Sequence, residues 1–301
     1  MKLIVILGPT GVGKTETALT VAERLALPVI NADSRQIYAG LAIGTAAPTA
    51  AQQQRVRHFF VGTLPPQQYY SASMYEHDVL ALLDKLYTQS DTALMAGGSM
   101  MYIDAVCNGI DELPTIPDNV RNEVKQQYEQ HGLQPLLEEL KAADPQYYEE
   151  VDRNNQRRVI HAIEICRTAG QPYSTLRTHS RKPRPFEVTK IGLIRDRQEL
   201  YDRINRRVDI MMEQGLADEA HSFYGMRGVN ALNTVGYKEM FDYFDGRCSL
   251  AEATERIKGA TRRYCRKQLT WFRRDPSVIW HHPDDIDGIM TAINRQQTIG
   301  N

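Results

Sequence analysis

Cysteine is scarce in this chain of 301 residues. Cys107, Cys166, Cys248 and Cys265 lie far apart with no C-x-x-C pair, a spacing that excludes a zinc knuckle and a disulfide framework and points to reduced thiols in a cytoplasmic protein. No apolar run approaches the roughly 18 residues that a membrane-spanning helix needs. The opening KLIVIL has no signal-peptide profile, so a soluble, non-exported chain without a membrane partner is expected. Net charge is nearly absent as well, with 36 Lys and Arg against 37 Asp and Glu. Such an average argues against a uniformly basic nucleic-acid binder. Disorder and fibrous structure are excluded by 42% hydrophobic residues, enough apolar surface to offset chain entropy. At roughly 150 residues per domain, the length suggests two domains.

The average hides a local absence of acid. Between Arg256 and Arg274 stand Arg256, Lys258, Arg262, Arg263, Arg266, Lys267, Arg273 and Arg274, with no Asp or Glu. A charge run is usually a solvated face, but unrelieved positive charge repels itself and suits a polyanionic partner. The pattern places Ile257, Ala260, Tyr264, Gln268, Leu269 and Phe272 on the opposite, apolar side of a helix. A second basic group, Arg177, Arg181, Lys182 and Arg184, falls in a Pro-containing segment that reads equally as linker or as a further contact to that partner.

Leu3 to Leu7 is an unbroken aliphatic run, Glu16 to Leu25 has helical spacing, and Pro28 to Ala32 is a second short apolar run. Strand, loop, helix, strand is the opening of a parallel α/β sheet. Ser73-Met74-Tyr75-Glu76 reads as a capping box before another helix, and the run Thr92 to Ala96 ends in Gly97-Gly98. Between Leu113 and Pro185 the texture changes: prolines punctuate helical stretches such as Asn119 to Gln130 and Arg157 to Thr168, and no strand pattern stands out. The expected organisation is a catalytic core over 1–112 and 186–301, with a helical insertion over 113–185 that is mobile relative to the core. Phe186 to Ile194 resumes a strand, followed by amphipathic segments over Leu200 to Gln214 and Ala251 to Phe272.

Gly8-Pro9-Thr10-Gly11-Val12-Gly13-Lys14-Thr15 fits G-x-x-x-x-G-K-[ST] between the first strand and the first helix. In such a loop backbone N–H groups turn around phosphate oxygens, the helix N-terminus adds positive potential, Lys14 supplies a charge and Thr15 can ligate Mg²⁺. The loop does not say which bond breaks. A bound diphosphate can be attacked at phosphorus, as in a kinase, or can leave from carbon under the same charges. Asp33 ends the second strand, where ligands sit in open parallel sheets, although a strand-end Asp also suits an Asx turn or a cap.

Asn31-Ala32-Asp33-Ser34-Arg35-Gln36-Ile37-Tyr38, Gly44-Thr45-Ala46 and Gly97-Gly98-Ser99-Met100-Met101-Tyr102, in this order, resemble the tRNA dimethylallyltransferases. The likeness continues through Arg203 to Asp209 with Gly215-Leu216, Asn233 to Glu239, and Thr261 to Phe272. Two positions depart from the family pattern: Ser99 stands where Thr is usual, and Ala47 where Lys is usual. The resemblance implies a bacterial-type enzyme without a zinc-finger extension, with a P-loop NTPase-like α/β core of parallel sheet and a helical insertion domain. It implies transfer of a dimethylallyl group from dimethylallyl diphosphate to the exocyclic N6 amine of the adenine just 3′ of the anticodon (position 37), with Mg²⁺ as cofactor, by a monomer.

Carried over by position, the resemblance makes Asp33 the base, with Lys14, Thr15 and Arg203 as its catalytic companions. Gly8, Thr10, Gly11, Gly13, Lys14, Thr15, Ser99 and Arg203 hold the diphosphate, and Thr15 its metal. The tRNA anticodon stem-loop is then met by Asp33, Ser34, Arg35, Gln36 and Ser99, by Asn233, Gly236, Tyr237 and Lys238, by Arg262, Arg263 and Arg266, and by Arg121, Arg157 and Arg158 of the insertion. Without the likeness, Arg203 reads as an ordinary surface ion pair. A small-molecule P-loop kinase remains an alternative for the loop, and a non-catalytic RNA-binding ATPase for the basic face.

Overall fold

The computed structural model describes residues 1–178 and 181–295. Its centre is a six-stranded sheet, β1 (Lys2–Leu7), β2 (Val29–Ala32), β3 (His58–Phe59), β4 (Thr92–Gly97), β5 (Glu187–Leu193) and β6 (Val278–His281). The spatial order is β3-β2-β4-β1-β5-β6 and every pairing is parallel. All six residues of β1 are buried, as expected for a parallel strand covered on both faces. Leu3, Val5 and Leu7 enter one core with the helices Ala72–Leu86 and Met100–Asn108. Ile4 and Ile6 point the other way, into a second core with the helices Lys14–Leu25 and Ile286–Arg295. Fully burying each such side chain is worth about 1.5–3 kcal/mol relative to exposing it.

The N-cap of helix Ala72–Leu86 lies two residues before the one the expected capping box supplies. Ser71 is its N-cap and accepts from the Met74 amide at 3.2 Å. Glu76 is buried instead and paired with Arg184. Of the readings left open for Arg184 neither applies, since its buried guanidinium is matched to that carboxylate and to the Ala105 carbonyl at 2.6 Å.

The chain divides into two compact units, Met1–Asn108 with Pro183–Asn301, and Gly109–Lys182. The second is wholly helical among its described residues and has a core of its own around Val124, Leu136, Leu140, Val159 and Ile163. Buried Asp144 stitches it, accepting from the Tyr147 amide at 3.0 Å and from the Ser174 amide at 2.6 Å. The unit starts four residues before the sequence pattern changes, because Gly109 and Ile110 already leave the last helix of the sheet layer. Within it Arg177 lies over the Tyr147 and Tyr173 rings and Lys182 pairs with Glu112 at 3.0 Å, so these two cations stabilise the unit itself.

Candidate active site

A cavity of about 660 Å³ opens at the carboxyl ends of β1, β2 and β4. It is lined by Thr10, Gly11, Gly13, Lys14 and Thr15 of the glycine-rich loop, by Asp33 and Gln36, by Arg203, Arg206 and Arg207, and by Tyr264 and Gln268. Gly13 caps the first helix at φ +112°, a left-handed conformation that side chains resist. That turn aims the helix N-terminus at the cavity. Lys14 Nζ donates to the Pro9 carbonyl at 2.7 Å. The loop is also braced by two arginines: Arg203 Nε donates to the Gly11 carbonyl at 3.0 Å and Arg195 Nε to the Val12 carbonyl at 2.9 Å. Arg203 is therefore an exposed brace and wall of the phosphate loop, not a surface ion pair.

Asp33 fills both roles open to a strand-end carboxylate. Its Oδ1 accepts from the Arg35 amide at 2.9 Å and the Gln36 amide at 3.3 Å, an Asx turn. Its Oδ2 carries no hydrogen bond among the described residues, and the side chain lines the cavity. Around the same turn Arg35 reaches the Asn230 carbonyl at 2.8 Å, and Gln36 Nε2 donates to the carbonyls of Thr45 and Ala46 at 3.0 and 3.1 Å. Arg35 and Gln36 hold neighbouring loops in place, while Ser34 is engaged by Ser99.

Ser99 is placed differently from the expectation that it grips diphosphate. It is 7% exposed. Its hydroxyl accepts from the Ser34 amide at 2.7 Å and donates to the Ser34 hydroxyl at 3.1 Å. That fixes the loop after Asp33 and leaves Ser99 outside the cavity wall. Tyr237 is corrected too. It is fully buried and donates its hydroxyl to Glu219 at 2.6 Å, and the same carboxylate accepts from the Ile43 and Gly44 amides, each at 2.8 Å. Gly236 beside it is also buried, so neither offers a surface to RNA, whereas Asn233 and Lys238 are exposed.

The most telling cavity residue is one that sequence reasoning passed over. Arg207 lies one helical turn beyond Arg203 on the helix Arg197–Glu213, on the same face by i, i+4 geometry. That spacing was the available signal. Burial lowers its pKa, and the Asp33 carboxylate opposes the shift. Lys14 is brought down to about 8, first by burial and then by the Arg207 charge, against Asp33. Lys14, Arg207 and Asp33 thus sense one another across one cavity, a cationic floor beside a carboxylate.

The basic helix spans Leu250–Phe272 and buries Ala253, Ile257, Cys265, Gln268 and Phe272. Tyr264, expected on the apolar side, is instead exposed towards the cavity. Arg256 and Lys258 are matched by acids from neighbouring helices, Lys258 to Asp209 at 2.7 Å. Towards the cavity end Arg262 is held by Asn205 and Arg266 by the Tyr201 hydroxyl at 3.1 Å, neutral partners that leave the charges uncompensated. Arg263 is exposed and has no ion pair among the described residues. In the separate helical unit Arg157 and Arg158 are exposed at the start of the helix Gln156–Ala169, and Arg121 donates to the Ile116 carbonyl at 3.4 Å.

Thr15 lines the cavity with its hydroxyl one residue beyond Lys14, the position from which a phosphate loop holds Mg²⁺ together with phosphate oxygens. The Thr15 hydroxyl is a hard oxygen donor of the kind that ion takes, and the cationic floor suits the phosphate rather than the metal. Among the described residues no cluster of three acidic, His or Cys side chains would hold a metal alone, nor is any described helix long and apolar enough to cross a membrane.

The description "IPP transferase" belongs to the family whose model matches residues 36–275. The chain is 57% identical over 294 residues to the tRNA dimethylallyltransferase 2 of Parabacteroides distasonis, covering 98% of each. It is 52% identical over 294 residues to the tRNA dimethylallyltransferase 1 of Bacteroides thetaiotaomicron, covering 98% of this chain and 96% of the relative. Among solved structures it is similar to the tRNA isopentenylpyrophosphate transferase of Bacillus halodurans, at 34% identity and a TM-score of 0.72 over 99% of this chain and 98% of that one. A eukaryotic dimethylallyltransferase acting on tRNA has the same fold, with a TM-score of 0.79 at 21% identity, covering 98% of this chain and 77% of its own. A parallel sheet with a glycine-rich phosphate loop, a carboxylate facing cations across one cavity, and relatives matched end to end lead to one conclusion: the chain belongs to the IPP transferase family, the tRNA dimethylallyltransferases.

Proposed function

We propose that this chain moves a dimethylallyl group from dimethylallyl diphosphate to the exocyclic N6 amine of the adenine immediately 3′ of the anticodon in tRNA, releasing diphosphate. The observation that carries the reading is Asp33, with one oxygen tied into its turn and the other unbonded among the described residues, in the same cavity as Lys14 and Arg207. An adenine amine is a poor nucleophile, and a positioned carboxylate can take its proton as the C–N bond forms. The diphosphate carries away the electron pair of the breaking C–O bond, and the loop amides, Lys14, Arg203 and Arg207 are placed to stabilise that charge. Thr15 would hold Mg²⁺, which when bound neutralises part of the leaving group. To reach Asp33 the adenine must leave the loop stack, at a cost of about a few kcal/mol. The reading includes a monomer acting in the cytoplasm. A kinase would have no use for uncompensated Arg262, Arg263 and Arg266 beside its cavity. Incubating unmodified tRNA, Mg²⁺ and dimethylallyl diphosphate labelled in the hydrocarbon should leave label on the RNA; label that stays wholly in small molecules overturns the proposal.

The depressed Lys14 pKa gives a pH dependence with a definite sign. Below about 8 Lys14 is charged and grips the anion; as the pH rises through that value the free protein loses the charge, so diphosphate affinity should fall. At pH 8.5, titration calorimetry in buffers of different ionisation enthalpy should therefore show net proton uptake on binding of dimethylallyl diphosphate, whose esterified diphosphate carries no proton of its own at that pH. Proton release, or affinity flat across this range, would contradict the placement of Lys14.

Reversing Arg262, Arg263 and Arg266 to Glu should weaken binding of many tRNAs alike, because phosphate contacts give affinity without reading sequence. The slope of log affinity against log salt should flatten by about 0.7 to 0.9 for each phosphate no longer neutralised. An unchanged slope would return this end of the helix to a solvated surface.

A further inference from the structure

Gln268 is an uncharged side chain buried to 2% exposure beneath a helix whose other face is basic. Both ends of its amide are used on the catalytic loops. Oε1 accepts from the Thr10 amide of the phosphate loop at 2.9 Å, and Nε2 donates to the Gly98 carbonyl after β4 at 2.8 Å. The side chain lines the cavity and lies so close over Gly98 that a Cβ there would stand 2.6 Å from Nε2 and 3.4 Å from Lys14 Nζ. The two loops follow neighbouring strands, and the sheet pairs only their roots, Leu7 with Gly97. Beyond that pair, Gln268 is a direct polar link between them. Its neighbour one turn back, Tyr264, forms the cavity wall.

We propose that Gln268 is a positioning residue which holds the phosphate loop in register with the β4 loop, so that the Gly11 to Thr15 amides face the diphosphate before it arrives. The inference deepens the function proposed above and rests on it. Gln268 acts through Thr10 and Gly98 and takes no proton from any substrate. Its geometry also accounts for two sequence features: Gly98 must lack a side chain because the amide occupies that space, and position 268 must carry both an acceptor and a donor. Arg195 and Arg203 hold loop carbonyls. Gln268 holds a loop amide, so donors and acceptors of the same loop are both tied.

Gln268→Met keeps the shape and removes both bonds, while Gln268→Glu keeps an acceptor for Thr10 and loses the donor to Gly98. Inorganic diphosphate with Mg²⁺, titrated into the full chain, reads the loop without requiring prenyl transfer. Gln268→Met should bind it about tenfold more weakly, the effect of about one buried hydrogen bond. Gln268→Glu should bind it no better than Gln268→Met, because its carboxylate turns an acceptor towards the Gly98 carbonyl and adds negative charge beside the anion. In transfer assays kcat/KM for dimethylallyl diphosphate should fall by at least a similar factor, because the loop amides hold the diphosphate both when bound and as it leaves. The Thr10 amide should exchange with solvent faster in Gln268→Met while amides of β1 keep their protection, which separates loop release from unfolding. Wild-type diphosphate affinity in a folded Gln268→Met overturns the inference, as does an equal loss of anticodon stem-loop affinity, which would make Gln268 a packing residue. If the wild-type chain binds diphosphate but no RNA becomes prenylated, the proposed function fails while the role of Gln268 in the loop is still decided by these titrations.

Discussion

Asp33→Asn should slow the chemical step by roughly 10² to 10⁴, the usual contribution of a positioned general base and equivalent to about 3 to 5 kcal/mol. The local geometry makes this substitution sharper than a simple loss of charge. Oδ1 is committed to the Arg35 and Gln36 amides, and an amide nitrogen cannot accept those bonds. The asparagine carbonyl must therefore stay in the turn, and its NH₂ takes the cavity position. A donor then faces the adenine amine where an acceptor is needed, although the fold of the loop is preserved. Single-turnover rates with saturating tRNA and dimethylallyl diphosphate separate this step from product release. Near wild-type transfer in that experiment would reduce Asp33 to a turn residue.

Lys14→Ala should weaken diphosphate binding and lower turnover by about 10² to 10³, the scale on which removal of one preorganised donor to a developing anion is felt. Anticodon stem-loop affinity should stay within about twofold, since Lys14 lies at the base of the phosphate loop, bonded to Pro9, and the uncompensated arginines of the helix Leu250–Phe272 lie on a different element. Arg207→Ala should behave similarly for diphosphate but also disturb Asp33, whose carboxylate it faces. Equilibrium titrations of the two ligands, performed separately on each variant, check both statements. Parallel loss of both affinities in Lys14→Ala would contradict the separation of sites.

The sequence was most legible where local chemistry and fold agree. An aliphatic run before a glycine-rich loop leaves few alternatives to a buried parallel strand, and β1 with its loop stands where that pattern puts it. The helix after β5 followed its periodicity closely. Misreadings came where a long-range partner overrode a local rule. The Ser73 to Glu76 motif has the spacing of a capping box, yet Arg184, over a hundred residues away, draws Glu76 into the core and Ser71 caps instead. Ser99 and Tyr237 belong to motifs that sit at the site, but their hydroxyls are spent on Ser34 and Glu219, which no spacing rule foretells. Arg207 was within reach of a helical-face argument from Arg203. Gln268 was not, because its partners Thr10 and Gly98 are brought to it only by the tertiary fold. β6, a strand of four residues after a run of positive charge and turn residues, carries too little pattern to stand out.

The central claim is that Asp33 and the phosphate loop serve one reaction, prenyl transfer to an anticodon-loop adenine. The most direct measurement is mass analysis of nucleosides from a single unmodified anticodon stem-loop, incubated with the purified chain, Mg²⁺, dimethylallyl diphosphate and ATP together. The account predicts one adenosine, that immediately 3′ of the anticodon, heavier by a dimethylallyl group at N6, with ATP left intact and the product forming far more slowly with Asp33→Asn under single-turnover conditions. Phosphate from ATP appearing on a small acceptor, with every adenosine of the stem-loop unchanged, would contradict it.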